Sequence, residues 1–501
     1  MKRRIFVVFV VCMLAMLSAE AKKKSGKDQI PAHPRDIEYG ELDFTVPDGN
    51  TYRHTLSNGV VVFVAEDRSL PLVDVTIRVR AGDFLDPADK PGLASLTGLM
   101  LRRGGAGGLS AEEFDEKADF LAANIGSFSS EASAGASLDC ISPVLDQGLE
   151  LLFQMLKSPG FQEDRLQVEK DNMLEGMKQR NDRPQSISSR EWGWLLYGKE
   201  HFTSAVMTQA NLAALGRDDL VAFHKKYWRA GNIMVGVSGD VDTKEILAKL
   251  EKHFADWNVS GPEVPWPPSA PDFSPEPGVY FVEKDIPQGR VIIGHLGKKR
   301  DNWKDPDVAA LVVMNDIFGG GGFTSRLVKR IRSDEGLAYS AFSRFGVGMH
   351  WPGTFQMGFQ SKSETVALAA KIAMEELERI RTSEVSDEEL ATAKASFIDV
   401  FPRSFESAQS IVGIFLGSEY DGRPFEYWTN YQEVIGAVTK ADVLRVAKKY
   451  LDPDKLVFLI VGSWADIEKG DADGRASMAE FRDGKTTQLP LRDPLTMEPM
   501  P

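Results

Sequence analysis

The sequence predicts an α+β protein made of two homologous domains, each a mainly antiparallel sheet with packed helices. Three observations carry this expectation. First, the chain repeats itself: DDLVAFHKKYWRAGNIMVGVSGDVD at 218–242 is echoed by ADVLRVAKKYLDPDKLVFLIVGSWAD at 441–466. The Lys-Lys-Tyr triplets at 225–227 and 448–450 are 223 residues apart, as are Gly239 and Gly462, and a shared offset at two landmarks indicates duplication. Second, each half opens on strand patterns. Val73, Val75, Ile77 and Val79 alternate with Asp74, Thr76, Arg78 and Arg80, while VYFVEKD and RVIIGHL open the other half. Third, GPEVPWPPSAPDFSPEPG at 261–278 separates the copies, and its prolines favour an extended connector.

The N-terminus orders Lys2, Arg3 and Arg4 before an apolar run from Ile5 to Leu17 and then Ala19-Glu20-Ala21. That is the pattern of a secretory signal peptide, so residues 1–21 are expected to be removed after Ala21 and the chain exported to the periplasm or beyond. The 13-residue apolar run is short for a bilayer span, so no stable membrane insertion is expected after cleavage. Loss of Lys2, Arg3, Arg4 and Glu20 would move the net charge from −14 to −16, which disfavours nucleic acid as a partner. Cys12 lies inside the signal, leaving Cys140 alone and excluding an intrachain disulfide in the mature chain. Residues 22–44 read as an extension, 45–260 as the first domain, 261–278 as the linker and 279–468 as the second domain. In the second, Glu364 to Ile380 has a helical pattern, and Ser386 followed by Glu389 forms a capping box for the next helix. Residues 469–501 lack periodicity and read as a flexible tail.

The duplicated halves and the stretch PGLASLTGLMLRRGG at 91–105 resemble the pitrilysin-type zinc peptidases, the inverzincins, over roughly residues 45–468. That resemblance implies two domains forming half of a clam-shell chamber, with zinc held by H-x-x-E-H on a helix and by a glutamate on a later one. Aligned through Pro91-Gly92-Leu93-Ala94, the motif positions here hold Ser95, Gly98 and Leu99, and the later ligand position holds Gly176. Glu175 is one residue away, which on a helix turns its side chain by about 100°. No metal is therefore expected in this chain. The seven histidines offer no pair within five residues of each other.

The second half keeps what the first has lost. In the family an arginine and a tyrosine seven residues apart bind the substrate carbonyl, and IRSDEGLAY places Arg332 and Tyr339 at that spacing. A guanidinium and a phenol suit the task, because peptide hydrolysis builds negative charge on the carbonyl oxygen. Arg326 is assigned to structure, and Gly319 to Gly322, which lack the Lys-Ser/Thr of a phosphate loop, to a flexible turn. The resemblance implies a non-catalytic, substrate-binding subunit of an exported heterodimer. A partner bearing H-x-x-E-H would hold the zinc, and extended peptides would be the substrates. The alternative is a peptide-binding or scaffold protein of the same fold without enzymatic role.

Overall fold

The computed structural model describes residues 33, 37, 44–257, 259–261, 263–269 and 273–500. The expected signal, its cleavage after Ala21 and nearly all of the 22–44 extension lie outside the described residues. Residues Val46–Pro501 form one compact unit. Among the described residues no helix is long and apolar enough to cross a membrane.

The first sheet holds β1 (Arg53–Thr55), β2 (Val61–Glu66), β3 (Leu72–Val79), β4 (Asn124–Ser129), β5 (Ala134–Ile141) and β6 (Ile233–Gly239), in the order β1-β2-β6-β3-β5-β4. Only the β2–β6 pairing is parallel. The second sheet holds β7 (Gly278–Glu283), β8 (Gln288–Leu296), β10 (Ala338–Phe345), β12 (Thr354–Lys362), β13 (Val457–Gly462) and β14 (Thr486–Leu489), while β9 (Lys298–Lys299) and β11 (Val347–Gly348) form a separate ribbon. Its order, β10-β12-β8-β13-β7-β14, repeats the first through five strands: β7 stands for β2, β13 for β6, β8 for β3, β12 for β5 and β10 for β4. Strand β3 shows the alternation that turns one face of a sheet to its own core, while the central strands β2, β6 and β13 are buried on both faces. Val73, Val75, Ile77 and Val79 are sealed in the first core, while Asp74, Thr76 and Arg78 point to the other face.

Helices cover the buried faces in matching order. In the first half they are α1 (Leu93–Arg103), α2 (Leu145–Lys157), α3 (Glu163–Lys178), α4 (Pro184–Tyr197) and α5 (Arg217–Tyr227). In the second they are α6 (Pro306–Asn315), α7 (Val366–Thr382), α8 (Asp387–Ile398), α9 (Ala408–Asp421) and α10 (Lys440–Tyr450). Leu149, Leu152, Phe153 and Leu156 give α2 its buried stripe. Ser386 and Glu389 form the reciprocal cap that starts α8.

The fourth helix of each half crosses to the other. Helix α4 packs on β8 and β13, burying Trp192 and Leu196 against Ile292, Val457 and Leu459. Helix α9 packs on β2 and β6, where Glu419 takes both forks of Arg53 at 3.0 and 2.9 Å. At its end Tyr420 donates to the Ala132 carbonyl at 2.7 Å. Neither half buries its sheet without a helix from the other.

The reading of residues 469–501 as a flexible tail is corrected. Thr486–Leu489 runs parallel to β7 as an added strand, and Arg492 reaches the buried Glu191 of α4 at 3.1 Å. Asn181 donates to the Arg492 carbonyl at 2.7 Å, and Gln209 N–H to that of Leu495 at 2.8 Å. Local periodicity is blind to such order, because it comes from an edge strand and an ion pair some 200 to 300 residues away. Replacing Arg492→Ala leaves the Glu191 carboxylate, 2% exposed, with Arg190 alone. A loss of roughly 3 kcal/mol is expected. Urea unfolding measures it, and an unchanged midpoint would mean that the segment is not docked in solution.

Candidate functional site

Arg332 and Tyr339 come from different elements and meet. Arg332 lies in a π-helical turn, Val328–Asp334, on which residues two apart stand on nearly opposite sides, as they do on any helix of this kind. Arg330 therefore turns inward to Glu376 at 2.7 Å and Glu375 at 3.1 Å, and Arg332 turns away. Tyr339 opens β10 at an irregularity where the pairing with β12 shifts between Ala338 and Ala341, a feature that re-aims a side chain. The Arg332 guanidinium carbon lies 4.6 Å from the Tyr339 ring centre and 4.5 Å from that of Phe323. Tyr339 is 84% and Phe323 68% exposed. Among the described residues neither the Arg332 nor the Tyr339 side chain has a hydrogen bond or ion pair, which leaves a half-buried guanidinium and an exposed phenol with donors to offer.

Phe323 was not legible as part of this cluster. It is presented by the glycine run, which is less free than a flexible turn. Asp316–Gly320 is a helical turn pressed on β10, and a Cβ on Gly319 would stand 2.6 Å from the Ser343 nitrogen. Arg326 is buried and grips Glu389 with two bonds of 2.6 and 3.0 Å. That pairing and the Ser386 backbone hold the Glu389 carboxyl at about 2 against the opposing effect of burial.

In the first half, Ser95 and Gly176 line one cavity of about 590 Å³, to which neither Arg332 nor Tyr339 contributes. The Ser95 hydroxyl donates to Asp83 at 2.8 Å. Gly176 faces open space on α3, whereas Glu175 pairs with Lys178 at 2.6 Å and does not line the cavity. Leu99 is half-buried. Gly98 is buried beneath β4, and a Cβ there would lie 2.7 Å from the Ser129 nitrogen, while Ser127 donates to the Gly98 carbonyl at 2.6 Å. A glutamate at 98 would thus have to displace a strand.

Two carboxyls that sequence reasoning passed over stand at the cavity. Asp86 accepts the N–H groups of Gly92 and Ala94 at 2.6 and 2.8 Å, anchoring the start of α1. Burial nevertheless pushes it up to about 7. Burial also raises Asp83, with the Ser95 bonds opposing. Acidic residues just ahead of a Pro-Gly helix start were the available signal. No group of three or more His, Cys, Asp or Glu among the described residues is arranged to hold a metal. His224 bonds the Leu156 carbonyl at 2.8 Å, and burial lowers its pKa to about 4. His295 spans the Leu296 carbonyl and the Asp452 N–H.

Known proteins similar to this chain fall in one group. Residues 214–397 match the family model described as the peptidase M16 inactive domain. The non-peptidase homologue YmxG of Helicobacter pylori is 26% identical over 410 residues, 81% of this chain and 92% of that protein. Among solved structures, a peptidase M16 inactive domain from Pseudomonas fluorescens has a TM-score of 0.73 at 26% identity, covering 82% of this chain and 97% of its own. The periplasmic protease PqqL of Escherichia coli matches with a TM-score of 0.67 at 16% identity, over 88% of this chain and 50% of its own.

The two glycines, Gly98 and Gly176, should respond oppositely to a methyl group. Gly98→Ala is expected to destabilise by about 1–3 kcal/mol through overpacking against β4. Gly176→Ala, in a helix with room around it, should stabilise by roughly 0.5–1 kcal/mol. Denaturant midpoints of the two variants decide the matter, and equal shifts would contradict the placement of α1 against β4.

Proposed function

We propose, from the premise that this chain belongs to the peptidase M16 family and is of its inactive type, that it is the substrate-binding subunit of an exported heterodimeric zinc metallopeptidase. One observation supports the reading: Arg332 and Tyr339 meet with no side-chain hydrogen bond or ion pair to engage them, while Ser95, Leu99 and Gly176 offer no imidazole or carboxylate to a metal. Arg332, half-buried, and Tyr339, exposed, stand together with Phe323, and no side-chain hydrogen bond or ion pair engages either of the pair among the described residues. Ser95, Leu99 and Gly176 occupy the positions of the family's ligands, and Gly98 that of its general base.

The chemistry divides between two chains. A partner with H-x-x-E-H supplies the zinc, whose role when bound is to polarise the carbonyl and lower the pKa of water. This chain's share is electrostatic. As the scissile carbonyl oxygen gains charge, the Arg332 N–H groups and the Tyr339 hydroxyl donate hydrogen bonds to it. Phe323, packed against the same guanidinium, limits its motion and so reduces the cost of ordering it. Substrates are extended peptides, whose backbone can pair with a sheet edge and be held independently of sequence. The basic-apolar N-terminus and the likeness to a periplasmic protease favour action outside the cytoplasm.

Purified alone, the chain is expected to hold no stoichiometric zinc and to leave peptides uncut. Isolated at native expression level, it should bring with it a zinc-bearing chain and chelator-sensitive hydrolysis. Elemental analysis and a quenched fluorescent peptide measure both. Zinc-dependent cleavage by the chain alone would overturn the reading.

A further inference from the structure

At the junction of the two halves the acidic chain gathers positive charge. Arg78 and Arg80 leave β3 on the face away from the first core, their guanidinium carbons 5.6 and 5.8 Å from the Tyr420 ring centre. Arg80 also lies 3.7 Å over Trp266 of the connector. From the second half, Arg300 and Arg423 stack on the same indole, 4.6 and 4.4 Å from the Trp303 ring centre, and both also approach Tyr427.

Two carboxylates face this group, one of them from the end of α9. Asp421 feels Arg423, Arg78, His350 and Arg300, and its ion pair is with Arg423 at 3.4 Å. Glu263 acts on Arg80. Arg78 and Arg300 have no ion pair among the described residues. Arg80 Nε, Arg300 Nη1 and Arg423 Nε are shielded from solvent without a hydrogen-bond acceptor. Shielded guanidinium donors are costly when left unpaired, and like charges held together add to that cost. The aromatic rings hold the guanidinium planes in place, so little freedom is lost when a forked acceptor arrives.

We propose that this junction is a binding site for an oxyanion, a carboxylate or phosphate group accepting from Arg300 and Arg423 with Arg78 and Arg80 behind. It shares no residue with the Arg332–Tyr339 pair and does not depend on peptide hydrolysis. A carboxylate would come from an acidic peptide side chain, a phosphate from free solution.

Titration calorimetry of the mature chain at low salt, with inorganic phosphate in one arm and hexaglutamate in the other, tests it. At least one anion should bind, weaken with added salt, and bind roughly tenfold more weakly to the Arg300→Gln/Arg423→Gln variant. Asp421→Asn removes the resident competitor at constant shape and should tighten binding, which decides the question even where the double variant folds poorly. Hexaglutamate displaced by phosphate assigns the site to acidic peptides, and phosphate alone to the free ion. Absence of both at low salt, unchanged affinity in a folded double variant, or weaker binding by Asp421→Asn would overturn the proposal.

Discussion

The reciprocal crossing of α4 and α9 is the interaction on which the rest of the molecule depends. Each sheet turns one apolar face to its own helices and the other, in part, to a helix borrowed from the opposite half. Trp192 and Leu196 are buried on β8 and β13, strands of the other half that follow them in the chain, and Glu419 is clamped by Arg53 near the start of the described chain. Exposing either contact would uncover large apolar side chains, each accounting for about 1.5–3 kcal/mol of burial. The halves therefore form one unit despite their separate cores. The C-terminal segment adds to this by running beside β7 and closing on α4 through Glu191.

A rigid pair of halves lets each specialise. The second half uses irregular backbone, a π-helical turn and a shifted strand register, to stand a half-buried Arg332 beside an exposed Tyr339. The first half has gone the other way. Gly98 lets β4 settle on α1, Ser95 is tied to Asp83, and Asp86 is engaged in holding the helix start. A metal site could not be rebuilt there by side-chain replacement alone, because the space for the residue at 98 is filled by backbone. The two halves, alike in sheet order, thus differ in the side chains they present.

Much of this was legible in the sequence, and what was not has a physical reason. The Lys-Lys-Tyr triplets mark the ends of α5 and α10, and the alternation from Val73 to Val79 marks β3, because both patterns are local. Arg332 and Tyr339 could be named from their spacing and context, but their approach depends on the π-turn and the register shift, which no periodicity announces. Phe323 was hidden behind glycines that suggested freedom rather than close packing. The amphipathic character of α4 and α9 says that a face is buried but not against which sheet. The arginines at 78, 80, 300 and 423 are scattered over 346 positions and become a cluster only through the crossing of α9.

The central claim is that this chain lends its Arg/Tyr pair to a zinc site held by another chain. The direct measurement is steady-state hydrolysis by the native complex carrying Tyr339→Phe, a change of one oxygen on an exposed ring. If the phenol stabilises charge that develops only in the transition state, kcat should fall by about a hundredfold while KM and complex formation stay near wild type. Undiminished kcat in an intact complex would contradict the account and leave the pair a surface feature of a scaffold.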